Sequence, residues 1–178
     1  MKKLVRNSAP TPTQPGEHAI VGSGPGGGTP PREVYTDSWA LIIAIDDYRY
    51  VPKLKYAVAD AEAIRKFLIT NGGFHPQHVL TLYNERATKA DIETALGTYF
   101  PGKVGPNDRG LIYYAGHGAT MDLPGGGQMG YLIPVEGQAD NLHGTCLSMS
   151  EIRETSKLMQ SKHILYIVDA CYSGIVGN

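Results

Sequence analysis

Short apolar runs alternate along this chain with segments of helical periodicity. Residues 39–45 form a continuous apolar run, which is typical of a strand buried on both faces. Similar runs at residues 78–83, 111–115 and 164–168 predict three further strands. Between the first two runs, apolar residues three or four positions apart predict a helix over residues 58–70. The pattern therefore predicts strands and helices in alternation.

Two later helices are predicted from their capping signals. Thr88 stands three residues before Asp91, and Ser148 stands three residues before Glu151, which is the spacing of a capping box. The helices that follow are expected to end near residues 99 and 160, and residues 131–135 predict a short edge or hairpin strand. Strands joined by crossover helices predict an α/β fold with a doubly wound, mainly parallel sheet and helices on both faces.

The composition of the chain changes near residue 36. Residues 1–31 contain six of the 12 prolines and six of the 22 glycines, with few large apolar side chains. Such a segment cannot bury enough surface to offset the entropy of ordering it. We therefore predict a flexible leader over residues 1–36 and a folded domain over residues 37–178. An ordered arm laid over the domain is the alternative.

Charge and cysteine content exclude several classes of protein. The chain has 16 Lys and Arg against 17 Asp and Glu, so it has no basic field for a nucleic acid. Its apolar runs fall far short of the roughly 20 residues that cross a bilayer, and no signal peptide is visible. Cys146 and Cys171 are too few for a disulfide scaffold and suit a reducing compartment. We expect a cytoplasmic protein that binds neither nucleic acid nor membrane.

Two of the predicted strands are followed by reactive side chains. His117 stands between Gly116 and Gly118 after one strand, and Cys171 follows another. The flanking glycines remove side-chain bulk, so that a substrate could approach the imidazole closely. An imidazole near a thiol is sufficient to activate it as a nucleophile. The backbone amides of Gly118 and Cys171 are candidates for an oxyanion hole.

These motifs resemble a known family, the caspase-like cysteine peptidases, and most closely its metacaspase, paracaspase and bacterial caspase-homologue branch. Four blocks carry the resemblance: residues 39–46, 54–63, 113–118 and 168–174. The resemblance covers about residues 37–176, and the histidine precedes the cysteine by 54 positions, close to the spacing of about 50 in caspases. It implies that His117 is the general base and Cys171 the nucleophile of an endopeptidase.

Acidic residues near these motifs indicate which bond would be cut. The resemblance implies that Asp60 lies in the pocket for the residue before the scissile bond, and Asp169 stands where true caspases carry glutamine. Two carboxylates facing a cavity attract a guanidinium or ammonium group and repel an acidic side chain. We therefore predict cleavage after Arg, with Lys second. The alternatives are an N-cap role for Asp60 and a hydrogen-bonded loop role for Asp169.

Other polar segments do not predict a cofactor. Many metacaspases need calcium, but the segment after His117 contains a single carboxylate, Asp122, where several oxygen ligands would be required. Residues 124–127 lack the Lys and Ser/Thr of a phosphate loop and are interpreted as a substrate-side loop. Asp46 and Asp47 are interpreted as a solvated turn, with a place in the cleft or a bound cation as the alternative.

The C-terminal end of the chain suggests a partner. In the family, a smaller second part follows the cysteine, whereas this chain ends at Asn178. Its last strand would lie next to an unpaired sheet edge. We therefore expect a large-subunit portion that works with a C-terminal small-subunit portion or a partner chain, on protein or peptide substrates with Arg or Lys at the cleavage site. A caspase-fold regulatory or assembly module without turnover is the alternative function.

Overall fold

The structure, a computed structural model, describes residues 34–171, the last of these by its main chain. Most of the predicted leader therefore lies outside the described residues. The strands are β1 (Ser38–Ala44), β2 (Val79–Tyr83), β3 (Arg109–Asp122), β4 (Gln128–Leu132), β5 (Leu147–Ser148) and β6 (His163–Cys171). The α-helices are α1 (Ala57–Thr70), α2 (Lys89–Thr94), α3 (Leu142–Thr145) and α4 (Met149–Thr155).

The sheet is mainly parallel, as the sequence predicts. Strands β2, β1, β3 and β6 lie side by side, and each neighbouring pair is parallel. Beyond its pairing with β1, the strand β3 continues and pairs with β4 in antiparallel orientation, and β4 pairs with the short β5. One strand, β3, therefore contacts three others and forms the centre of the sheet.

Apolar side chains cover both faces of β1. On one face, Ala40, Ile42 and Ala44 pack against buried residues of α1. On the other face, Leu41 and Ile43 belong to a second cluster, which includes side chains of α2, of the π-helical segment that follows it and of α4. All of these β1 residues are buried, as expected for a central strand with helices on both sides.

The predicted helix caps are confirmed, and α1 agrees with its predicted bounds. The second helix continues from α2 as a π-helical segment, Ala95–Tyr99, to its predicted end, whereas α4 is shorter than expected. Thr88 accepts a hydrogen bond from the Asp91 amide at 3.1 Å, and Ser148 and Glu151 form a complete capping box. Helix α4 ends at Thr155, because the hydroxyls of the last turn bond back to its own carbonyls and tighten it into a 3₁₀ turn. None of the helices within residues 34–171 has the length and apolar character to cross a membrane.

Strand β3 is longer than the sequence predicts. The prediction that it ends near residue 115 is wrong, so His117 lies within a strand and not after one. The strand turns back at residues 123–127, where Gly126 and Gly127 adopt φ values of +89° and +85° that favour glycine. The predicted substrate-side loop is therefore the turn of the β3–β4 hairpin.

Asp46, directly after β1, caps the start of α1 from eleven residues away. Its two carboxylate oxygens accept the backbone amides of Ala57 at 2.9 Å and Val58 at 3.2 Å. The residue at the N-cap position, Tyr56, contributes no side-chain cap. The alternative of an N-cap role for Asp60 is therefore wrong, and Asp46 is a structural link between a strand and a helix.

The segment between β1 and α1, residues 46–56, is here called the 46–56 loop. Its first residues are held by Asn84, whose side-chain oxygen accepts the amides of Asp46 at 2.9 Å and Asp47 at 3.1 Å. The Asp47 carboxylate is exposed and forms a salt bridge with Lys53 at 2.9 Å. The solvated-turn interpretation therefore holds for Asp47 but not for Asp46.

Replacing Asp46 with Ala is expected to lower the free energy of unfolding by about 1–2 kcal/mol, since two helix amides lose their acceptor. Urea unfolding followed by circular dichroism measures this change. Asp47→Ala is the matched control and should change stability by less than about 0.5 kcal/mol, because its ion pair is exposed. Equal losses in the two variants would contradict the capping role of Asp46.

Candidate active site

Parallel pairing of β3 with β6 places residue 117 beside residue 171. The register begins with Arg109 opposite His163 and ends with His117 opposite Cys171. Paired strands in a sheet lie about 4.8 Å apart. The two residues therefore occupy adjacent backbone positions at the carboxyl end of the parallel strands, where α/β sheets carry their reactive groups.

The imidazole of His117 is oriented by a backbone carbonyl. Its Nε2 lies 2.8 Å from the carbonyl oxygen of Pro52, in the 46–56 loop. A carbonyl oxygen can only accept a hydrogen bond, so Nε2 of the neutral ring carries the proton. The lone pair is then on Nδ1, which is the ring atom available to take a proton. His117 is largely buried, and its contact with the Pro52 carbonyl is partly shielded from water.

Two tyrosines hold the main chain of His117. The His117 amide donates to the hydroxyl oxygen of Tyr48 at 2.7 Å, and the Tyr114 hydroxyl lies 2.9 Å from the His117 carbonyl. Burial raises the pKa of Tyr48 to about 12 and holds the pKa of Tyr114 well above its ordinary value. Both hydroxyls therefore stay protonated and uncharged at neutral pH.

Gly116 provides the space that these hydroxyls fill. A Cβ built at this position would collide with the Tyr48 hydroxyl oxygen and would lie 2.8 Å from the hydroxyl oxygen of Tyr114. Sequence analysis attributed this glycine to substrate approach. The structure gives it a different role, because a side chain at residue 116 would push the two tyrosines away from His117.

The backbone amide of Gly118 is directed toward the β6 side of β3. Gly118 pairs with Leu132, but it is the amide of Ile133 that donates to the His117 carbonyl, at 3.0 Å. The pair of Gly118 and Leu132 is therefore of the non-hydrogen-bonded kind. Since the His117 carbonyl faces β4, the next amide along the strand faces the opposite side. A donor in that position can stabilise negative charge that develops near residue 171.

An open cavity of about 390 Å³ adjoins the imidazole. Asp60, from the first turn of α1, and Asp169, which pairs with Ala115, line it together with His117. The remaining wall is formed by residues 54–57, Ala115 and Gly116. The two carboxylates singled out in the sequence therefore lie in the same cavity as the histidine.

The electrostatics of this cavity favour a cationic group. The Tyr113 hydroxyl lies 3.5 Å from a carboxylate oxygen of Asp169. Burial, followed by the negative charges of Asp169 and Asp60, raises the pKa of Tyr113. Lys55 contributes one positive charge to the lining against two carboxylates. The chemical capacity of the cavity is to bind an ammonium or guanidinium group beside the imidazole.

Sequence reasoning missed Pro52, Tyr48 and Tyr114. Pro52 acts through a main-chain carbonyl, which every residue type possesses, so no sequence signal could have found it. Tyr48 and Tyr114 belong to the buried core and look like ordinary packing aromatics in the sequence.

Cys146, the cysteine outside the candidate site, is also buried in that core, as a small packing residue. In the described part of the chain, no group of three or more His, Cys, Asp or Glu side chains could hold a metal ion.

Comparison with known proteins identifies the family. The caspase domain family matches residues 37–177. The chain belongs to this family. Over 145 residues it is 30% identical to Metacaspase-1 of Eremothecium gossypii. The aligned region covers 76% of this chain and 31% of the metacaspase. A crystal structure of a protein from Geobacter sulfurreducens has a TM-score of 0.62 and 21% sequence identity, with 76% of this chain and 50% of that chain covered.

These similarities confirm the predicted family and the predicted α/β caspase-like fold. The chain is a caspase-family domain of the cysteine-peptidase type. The Geobacter likeness supports the fold alone. The matched part of this chain spans 31% of the length of the metacaspase and 50% of the length of the Geobacter protein.

Gly116→Ala is expected to destabilise the caspase-family domain by about 1–3 kcal/mol, since the added methyl group overpacks the two tyrosine hydroxyls. Thermal or urea unfolding checks this. Gly97→Ala is the control, because a Cβ at Gly97 meets nothing within 4 Å and alanine is the better helix former. If Gly116→Ala were as stable as Gly97→Ala, the close packing described around Gly116 would be wrong.

Proposed function

We propose that this domain is a cysteine endopeptidase with a His117 and Cys171 catalytic dyad, which cuts peptide bonds after Arg, with Lys second. The observation that carries the proposal is the β3–β6 register, which puts these two residues opposite each other. The hydrogen bond from His117 Nε2 to the Pro52 carbonyl supports it, because it leaves Nδ1 as the base.

The proposed reaction follows acyl transfer through a thiolate. Nδ1 of His117 takes the thiol proton of Cys171, and the thiolate attacks the scissile carbonyl carbon. The backbone amides of Gly118 and Cys171 donate to the resulting oxyanion. The imidazolium then gives its proton to the leaving amine, which breaks the peptide bond. Water, deprotonated by the same imidazole, hydrolyses the thioester and restores the thiol.

The Pro52 carbonyl assists this cycle at the charged stage. When Nδ1 holds the extra proton, Nε2–H carries part of the positive charge and still donates to Pro52. A hydrogen bond to a charged group is stronger than one between neutral groups. The carbonyl therefore stabilises the imidazolium without competing for its proton, since an amide oxygen is a very weak base.

The proposed preference for Arg rests on the two carboxylates of the cavity. Asp60 and Asp169 line the cavity beside His117, where both carboxylates can accept charge-assisted hydrogen bonds from one cationic side chain. The planar guanidinium presents five donors in a fork and can pair with two carboxylates, whereas an ammonium group is a point charge with three donors. An aspartate side chain would be repelled. At the position before the scissile bond, Arg is therefore expected to be preferred over Lys, and cleavage after Asp is excluded.

We infer that a C-terminal small-subunit portion or a partner chain covers β6. Within residues 34–171, β6 pairs with β3 alone, and its Leu165 and Ile167 are 56% and 38% exposed. A cavity of about 550 Å³ lies against the same strand, with Phe67 on its opposite wall. Exposed apolar side chains beside a free strand edge are the features of an interface.

A second candidate function is a caspase-fold regulatory or assembly module without turnover. The observation in its favour is this same open face of β6, which could serve assembly as well as catalysis. The two candidates differ in what they require of Cys171. A peptidase needs a reactive sulfur assisted by His117, whereas an assembly module does not.

An Arg-directed, thiol-reactive peptide is expected to form an adduct on Cys171, located by mass spectrometry. Adduct formation should be lost in His117→Ala, because the thiol then lacks its base. Cys146 is the internal control, since its side chain is 0% exposed and burial raises the pKa of its thiol. If Cys171 stays unlabelled even when the C-terminal portion is supplied, the peptidase proposal is wrong and the assembly module is favoured.

Fluorogenic peptides that differ in the residue before the scissile bond test the specificity. We expect the highest kcat/KM for Arg, then Lys, with no cleavage after Asp. Asp60→Asn should lower kcat/KM for the Arg peptide about tenfold or more, since one charge of the cavity is lost. Asp47→Asn is the matched control. It should leave kcat/KM for the Arg peptide unchanged, because Asp47 is exposed and pairs with Lys53. Preferential cleavage after Asp would overturn the assignment.

A further inference from the structure

We propose that Tyr48 is a positioning residue for the base, because it ties the 46–56 loop to β3 and so holds the Pro52 carbonyl against the imidazole of His117. This inference rests on the proposed function of His117. Tyr48 and Pro52 belong to the same loop, four residues apart, and both contact residue 117. The base is therefore held at two points by one segment of chain.

The two contacts have different roles. The Tyr48 hydroxyl oxygen accepts the His117 main-chain amide at 2.7 Å, which fixes the backbone from which the ring projects. The Pro52 carbonyl accepts from the ring itself at 2.8 Å. The ring of Tyr48 also lies against the imidazole, with 4.8 Å between ring centres and a tilt of 45°. Movement of Tyr48 would therefore move the loop relative to the ring.

The Tyr48 hydroxyl lies next to a second tyrosine that is fixed by the main chain. Both the Tyr48 and the Tyr114 hydroxyl oxygens occupy the space beside Gly116, and the Tyr114 hydroxyl lies 2.9 Å from the carbonyls of His117 and Ile133. The absence of a side chain at Gly116 makes this arrangement possible. Tyr48 is thus a fixed link between the loop and the strand.

The rest of the loop has its own attachments, which makes the role of Tyr48 separable from folding. The amide of Arg49 donates to the Val135 carbonyl at 2.9 Å, and the amide of Leu54 donates to the Asp46 carbonyl at 2.9 Å. The Asp46 side chain caps α1 at the far end. Removal of the Tyr48 hydroxyl therefore leaves the loop connected at both ends, and what is lost is the hydrogen bond from the main-chain amide of His117.

Tyr48→Phe tests this inference, with Tyr166→Phe as the matched control. Tyr166 packs against the same core and pairs with Ile112, five residues before His117 on β3. For an Arg peptide, we expect kcat to fall about 10- to 100-fold in Tyr48→Phe, the effect of a small misplacement of a catalytic group. KM should change by less than about threefold, because the carboxylates of the cavity are untouched. Tyr166→Phe should leave both constants unchanged.

Nitrogen-15 NMR of the histidine rings gives a readout that does not depend on turnover. In the unaltered chain we expect the His117 ring as the Nε2–H tautomer, assigned by its loss in His117→Asn. In Tyr48→Phe we expect a mixture of both tautomers, because the Pro52 carbonyl is no longer held against Nε2. In Tyr166→Phe the Nε2–H tautomer should persist.

The outcomes separate this inference from the proposed function. An unchanged tautomer and an unchanged kcat in Tyr48→Phe would overturn the positioning role. Equal losses of kcat and thermal stability in Tyr48→Phe and Tyr166→Phe would also overturn it, because the effect would then be general to tyrosines that pack against this core. If the unaltered chain lacked turnover and labelling, the proposed function would fail, while a tautomer shift confined to Tyr48→Phe would still support Tyr48 as the residue that positions the ring.

Discussion

The hydrogen bonds between β3 and β6 determine which residues stand side by side at the carboxyl end of the sheet. A slip of two residues would put Asp169 beside His117 in place of Cys171 and would change the composition of the cavity. The start of the pairing is secured by Ser161, whose hydroxyl donates to the Asp108 carbonyl at 2.6 Å and accepts the His163 amide at 3.0 Å. A buried hydroxyl at the far end of the sheet thus joins the two strands where their pairing begins.

The 46–56 loop adds the second constraint. It brings Tyr48 and Pro52 to His117, and its last residues form one wall of the cavity that Asp60 also lines. Because Asp46 joins the loop to the first turn of α1, the helix that carries Asp60 and the loop that orients the imidazole are anchored to the same carboxylate. The His117 imidazole and the cavity are therefore positioned by a single connected piece of chain.

Much of this arrangement follows from local patterns, which is why the sequence was informative. The buried strand at residues 39–45 and the caps at Thr88 and Ser148 depend on neighbouring residues, and the structure confirms them. The meeting of residues 117 and 171 at one sheet edge follows from topology, because parallel strands share their carboxyl ends. The roles of the two residues in catalysis stay a proposal.

Other features depend on contacts between distant parts of the chain and could not be predicted. Strand β3 runs through Gly116, His117 and Gly118, which carry no apolar signal, because β4 supplies the partner for its second half. The cap of α1 comes from Asp46, eleven residues away, so the usual search for a capping residue next to the helix fails. The residues next to Pro52 in the sequence do not show that its carbonyl will contact the imidazole of His117.

The pairing of β3 with β1 and with β6 has a consequence for how the domain unfolds. Residues 109–115 of this strand pair with β1 on one side and β6 on the other, whereas the 46–56 loop is attached by single hydrogen bonds and not by a ladder. Segments with few such attachments open at lower free energy than central strands. On mild heating or in low denaturant, the loop would therefore detach while the sheet stays intact. The alignment of His117 would then be lost before the domain melts, and an ordinary unfolding curve would overstate the temperature range in which the histidine remains aligned.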